Sequence, residues 1–201
     1  MAARRAPEER GVAAARTRER IMEAAVAEFG AKGYAGARTA GIAARAGVNQ
    51  QLIAYYFGGK QGLLDALRER WQETEDTIEG PLDEAIGKAL DATLERPDWA
   101  RLLVWQALGD CPFADEADGE RFARSQRSRL AEAVEGMRRR QRDGEVSEEL
   151  DPAFALLVTY ALVLAPITMP QFVQGMLGLD PMSPEYRGRC REELVKLLGG
   201  A

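Results

Sequence analysis

The chain has 201 residues, 46% hydrophobic and 29% charged, which suits one large globular domain or a small module joined to a medium one. It has no histidine and two distant cysteines, Cys111 and Cys190, outside any CxxC pairing; this argues against a zinc site, a disulfide framework and the commonest general base. The net charge of −5 divides unevenly: residues 1–70 carry 12 Lys/Arg against 7 Asp/Glu (net +5) and the remainder 15 against 25 (net −10), which suggests that only the first third meets a polyanion, although a charge excess also reads as a solvated face.

Residues 1–16 are rich in Ala, Arg and Glu without apolar periodicity and read as a flexible basic arm, whose Arg4, Arg5 and Arg10 suit either solvent or a minor groove. No apolar stretch follows these arginines, so no signal peptide is expected and the location is read as cytoplasmic. Thr17 opens a helix with Ile21, Ala24, Ala25 and Phe29 on one stripe, and Gly33 closes it beside Tyr34. Thr39 leads a second, short helix with Ile42, Ala43 and Ala46 inward, broken at Gly47. Asn49 is a strong N-cap for a third, which ends at Gly58-Gly59. Three helices within about forty residues, the last two joined through a glycine turn, make a helix-turn-helix arrangement.

A longer helix is expected from Lys60 to about Glu79, with Leu64, Leu67, Trp71 and Ile78 on one face. Leu82, Ala85, Ile86, Ala89, Leu90, Thr93 and Leu94 form the stripe of the next. Asp98 caps 'WARLLVWQAL', apolar nearly all round and so read as interior. 'DCPFADEADG' reads as a loop, before a long amphipathic helix carrying Phe122, Leu130, Val134 and Met137 and ending near Asp143-Gly144. Asp151-Pro152 starts the longest apolar run, 'AFALLVTYALVLAPITM', too short to span a bilayer comfortably and therefore read as a buried helix; Pro166 and Pro170 should kink or segment it. Ser183-Pro184 starts the last helix. No strand-period alternation occurs, so the fold class is all-α.

The stretch 'VNQQLIAYYFGGKQGLL' is the most informative. On a helical wheel Ile53 and Phe57, four apart, face a small core, while Gln51, Leu52 and Tyr55 face water. Gln50 and Gln51 occupy the first turn, where a recognition helix meets base edges; Gln can bond adenine bidentately and Leu can meet a thymine methyl. Tyr56 flanks this face. Lys60 begins the following helix, where its ammonium adds to free N–H groups and the helix dipole to seat an anion, and Thr39 offers a second such seat. The same aromatics also admit a plain reading as core, and the exposed Tyr55 face a reading as a protein-interaction module without specific DNA binding.

Residues 17–70 resemble the DNA-binding domain of TetR-type transcriptional regulators. The resemblance rests on 'RERIMEAAVAEFGAKGYAGARTAGIAARAGV' and 'LIAYYFGGKQGLLDAL'. It implies that Thr39 binds phosphate at the start of helix two, and that Asn49, Gln50, Gln51, Leu52 and Tyr55 are recognition-helix contacts. Tyr56 takes the usual His position and Lys60 that of the backbone-binding Lys. Ala54 replaces a Tyr, Gln51 a frequent Gly, and Gly41 the usual acidic residue before 'IA', which weakens helix two.

The resemblance also implies a homodimer on a double-stranded DNA operator, and a C-terminal domain over residues 71–201 that binds a small-molecule effector and relieves repression. Helices over 152–173 and 184–198, with Leu156, Leu157, Tyr160, Leu164, Leu194 and Leu198, are the candidates for its dimer interface; an apolar helix there also reads as central core. Trp99, Trp105, Phe122, Met137, Met169, Phe172 and Met176 are candidates to line an effector pocket, with Asp110 and Cys111 at its entrance, although Met and Trp at helical spacing equally read as core. No cofactor, metal site or catalytic set is expected: 'GGKQ' lacks the Ser/Thr that a phosphate-binding P-loop places after its Lys.

Overall fold

The computed structural model describes residues 7–73 and 80–199. Among them are ten helices and no strand: α1 Pro7–Gly36, α2 Thr39–Ala46, α3 Gln51–Phe57, α4 Lys60–Glu73, α5 Leu82–Glu95, α6 Pro97–Ala107, α7 Glu116–Arg142, α8 Pro152–Thr168, α9 Pro170–Leu177 and α10 Pro184–Gly199. Residues 1–6 of the expected arm, with Arg4 and Arg5, and residues 74–79, with Ile78, lie outside the described residues. The helices divide into two compact units. One holds α1–α4 with residues 101–114, the other α5 and α7–α10 with the start of α6.

In the first unit α1 begins at Pro7, so residues 7–16, expected as an arm, are helical. The Ala-rich run at residues 13–15 favours helix intrinsically. Thr17 is therefore inside α1, its hydroxyl donating to the Ala13 carbonyl at 2.9 Å. Gly33, at φ 67°, breaks the helical path at the expected residue, and a further short turn follows it. The core of this unit is built from Ile21, Phe29, Ile42, Ile53, Leu63, Leu64 and Leu67, all essentially inaccessible.

Residues 101–114, read from sequence with the C-terminal region, pack here. Trp105 Nε1 donates to the Gly30 carbonyl at 3.1 Å, and Asp110 Oδ2 accepts the Tyr34 N–H at 2.6 Å just past the break. Arg68 on α4 is 9% exposed. Its Nε donates to Gln106 Oε1 (3.0 Å), Nη1 to Asp65 Oδ1 (2.8 Å) and Nη2 to the Cys111 carbonyl (2.7 Å), with the guanidinium 4.0 Å from the Phe113 ring centroid. Asp110 and Cys111 thus serve this packing rather than a pocket entrance; burial leaves the Cys111 thiol with its pKa pushed up to about 11, protonated and inert.

The second unit has its own core, in which Leu82, Ile86 and Leu90 of α5 meet Val146, Ala155, Val163, Val173, Tyr186, Leu194 and Leu198. Helix starts follow local chemistry. Asp115 caps α7 by accepting from Asp118 N (2.9 Å), four residues before the helix expected from the apolar pattern, and Asp151 caps α8 by accepting from Phe154 N (2.8 Å). Pro166 is accommodated inside α8, while Pro170 starts α9 after a bend of 96° between the two helices. The expectation of a fully buried α8 fails: Phe154 and Leu157 are 63% and 60% exposed, and Tyr160 and Leu162 are also outward. Leu130 is exposed too, and α6 buries only Ala100 and Leu102 fully. Among the described residues no single helix is long and apolar enough to cross a membrane; the bent α8–α9 pair reaches that composition only jointly.

Candidate nucleic-acid interface

The turn between α2 and α3 is set by its own residues. Gly47 closes α2 in the left-handed region at φ 63°, its N–H meeting the Ala44 carbonyl, and Val48 N donates to the Ala43 carbonyl at 3.0 Å. Asn49 Oδ1 then accepts the Gln51 N–H at 2.9 Å, and Leu52 N and Ile53 N bond back to the carbonyls of Asn49 and Gln50. Gln50 is already helical at φ −54°, so the Asn49 side chain caps the helix as expected although regular α3 is counted from Gln51.

α3 is seven residues long with Ile53 and Phe57 buried beneath it. Gln50, Gln51 and Tyr55 are exposed, Tyr55 to 78%, whereas Leu52 and Tyr56 are half-buried. Leu52, expected wholly in water, is therefore partly covered. Tyr55 and Tyr56 meet edge to face at 5.0 Å between ring centroids. Gly58 ends the helix at φ 70°.

Around this surface, Gln50 Nε2 donates to Thr39 Oγ1 at 2.8 Å, joining the first residue of α2 to the start of α3. Lys60 begins α4 with its ammonium 4.2 Å from the Tyr34 ring centroid, a cation–π contact that fixes the start of α4 to the end of α1; Tyr34 in turn stacks on Phe29. The contacts join Thr39 to Gln50, Asn49 to Gln51 and Tyr55 to Tyr56, while Lys60 is held on Tyr34 at the start of α4. The wheel projection missed two neighbours. Arg38, exposed just before α2, and Arg18, whose guanidinium lies 5.4 Å from the Phe57 centroid, add cations to this region. Only their charge, next to Thr39 and on the exposed side of α1, could have marked them in the chain.

The C-terminal candidates part company. Trp105 belongs to the first unit and is spent on Gly30, and Met137, 6% exposed, is core of the second. Met169, Phe172 and Met176 stand at the surface, the last 77% exposed, while Trp99 and Phe122 are half-buried. Of the interface candidates, Leu157 and Tyr160 face outward and Leu156 and Leu164 are half-buried, but Leu194 and Leu198, 0% and 1% exposed, point into their own core. The outward apolar position of α10 is Leu197, 55% exposed, because α10 lays its 194–198 face against α5 and α8.

Comparison with known proteins agrees with this architecture. Residues 21–67 match the family model for bacterial regulatory proteins of the tetR family, and residues 82–195 that for a tetracyclin repressor-like C-terminal domain. An HTH-type transcriptional repressor of Streptomyces coelicolor is 32% identical over 173 residues, covering 81% of this chain and 84% of that protein. A solved structure from the same organism, assigned as a transcriptional regulator, is 25% identical with a TM-score of 0.69, covering 90% of this chain and 98% of its own. The fold is shared also with the regulator FadR of Bacillus subtilis, solved in complex with stearoyl-CoA, at a TM-score of 0.59, 18% identity and coverage of 91% and 99%. With both of its parts matched and a relative at this identity over most of both chains, the chain belongs to the TetR family of DNA-binding transcriptional regulators.

Proposed function

We propose that this regulator acts as a homodimeric repressor that reads a two-fold operator with α3 and releases it when a small-molecule effector binds its C-terminal domain. The single observation that carries the reading is the face of α3. Seven residues bury Ile53 and Phe57 yet leave Tyr55 78% exposed beside exposed Gln50 and Gln51, an arrangement without structural benefit to the protomer. Gln50 and Gln51 read base edges, with Leu52 and Tyr55 against bases or sugar. Thr39, Asn49, Tyr56 and Lys60 hold the phosphates that fix register. Repression is the activity named for the Streptomyces relative, and the effector half of the reading draws on an architecture that in FadR accommodates a ligand.

The test is a gel-shift titration on the DNA flanking the protein's own gene, at two salt concentrations and against random competitor. A discrete shift that survives competition and weakens steeply with salt supports the reader, since several phosphate contacts release counterions. Binding to a protein partner through Tyr55, with no DNA sequence enriched from a random pool, would overturn it. Compounds are then screened for release of the shifted complex.

A further inference from the structure

The hydrogen bond from Gln50 to Thr39 deepens the reading just given, and the inference drawn from it rests on that reading. Gln50 is exposed and Thr39 half-buried, eleven positions apart, and their 2.8 Å contact lies open to solvent, so it contributes little net stability. Its significance is directional. A hydroxyl has one proton, and while Thr39 Oγ1 accepts from Gln50 that proton is available for an acceptor elsewhere. A phosphate oxygen only accepts. Against the DNA backbone Thr39 must therefore donate outward, and it can then bond Gln50 only by accepting, which turns the amide nitrogen toward α2. One N–H spent on Thr39 leaves Gln50 with its other N–H and its Oε1, the donor–acceptor couple that adenine N7 and N6 require.

Local structure holds both ends of the bond. Thr39 is the first residue of α2, and the preceding Arg38 N–H is held by the buried Glu28 carboxylate. Gln50 is held helical by the Asn49 side chain on the next N–H. A long, flexible side chain is thereby oriented before DNA arrives, which reduces the ordering cost of binding. We propose that Thr39 is a positioning residue for base readout as well as a phosphate contact: it sets the amide of Gln50, so that backbone clamp and base reader act as one unit.

The experiment is enrichment from a random DNA pool by the full chain and its variants, with thermal melts to confirm that each is folded. Wild type should enrich one motif, and Gln50→Ala should lose preference at one position of each half-site, by roughly 5- to 150-fold. Thr39→Ala should lose preference at that same position while also binding every sequence more weakly. Thr39→Ser, which keeps the hydroxyl, should restore the preference. The double variant should discriminate no worse at that position than Gln50→Ala alone, because coupled residues are not additive. The pairing is overturned if Thr39→Ala weakens all sequences alike and leaves that base preference intact. Failure of the wild type to enrich any sequence would instead overturn the DNA reading itself.

Discussion

Glu28 accounts for the glycine that stands where the family pattern has an acidic side chain. It is 3% exposed, with Lys32 Nζ at 2.7 Å, and a Cβ on Gly41 would lie 2.6 Å from its Oε1. The carboxylate that complements the start of α2 thus comes from α1, and Gly41 leaves it room. The Lys32 hydrogen bond and charge, with the Arg38 N–H and Arg45, outweigh burial and hold the Glu28 carboxyl below its ordinary 4.5. A depressed folded pKa contributes stability above the unfolded value and loses it as pH falls through the folded one. Urea denaturation from pH 6 down to about 3 should therefore show a shallower loss for Glu28→Gln than for wild type; parallel curves would remove Glu28 from the account. Arg68 is the second such residue. Arg68→Met keeps the stem but strips the donors from Gln106, Asp65 and the Cys111 carbonyl, and should cost about 2–4 kcal/mol in urea melts. A cost under about 0.5 kcal/mol, the range of surface substitutions, would mean that water replaces those donors freely.

At the scale of elements, the α3–α4 connection depends on a glycine that the sequence pattern passes over. Gly58 and Gly59 turn the chain with positive φ, and α4 then returns so closely that a Cβ on Gly62 would lie 1.9 Å from the Phe57 carbonyl oxygen. Gly62→Ala should force α4 away from α3, costing about 1–3 kcal/mol as overpacking does, and should weaken operator binding because Lys60 moves with α4. Unchanged melting and unchanged affinity together would show that the turn relaxes without penalty. Four helix starts, those of α3, α7, α8 and α10, use a local partner instead. Asn49, Asp151 and Ser183 act on N–H groups two or three residues ahead, so those boundaries were readable from the chain, whereas Asp115 was hidden in a polar stretch taken for a loop.

For the whole molecule, the surface of α8 is the feature that bears on the proposed dimer. Phe154 and Leu157, three apart and 63% and 60% exposed, put apolar surface on the outside of α8, and Leu197 on α10 is exposed as well. Under the proposed function a second copy covers this face. Leu157→Arg should convert the dimer to a monomer in sedimentation velocity without loss of helical circular dichroism, and should weaken binding to a two-fold operator far more than to a half-site. A dimer that persists through this substitution would place the interface elsewhere.

Sequence alone determined the all-α class, the helix-turn-helix and the exposed face of α3. Each of these follows from interactions within a few residues: periodicity, caps, and glycines at left-handed positions. Tertiary structure decided what depends on distant partners. It placed residues 101–114 with the first unit through Arg68, Asp110 and Trp105, and it supplied a carboxylate to α2 from Glu28. It also turned Leu194 and Leu198 inward while leaving Leu157 and Leu197 outside. An apolar residue looks the same in the chain whether it meets its own core or a neighbour, because the hydrophobic effect has no direction; only the packing of helices far apart in sequence assigns it a side.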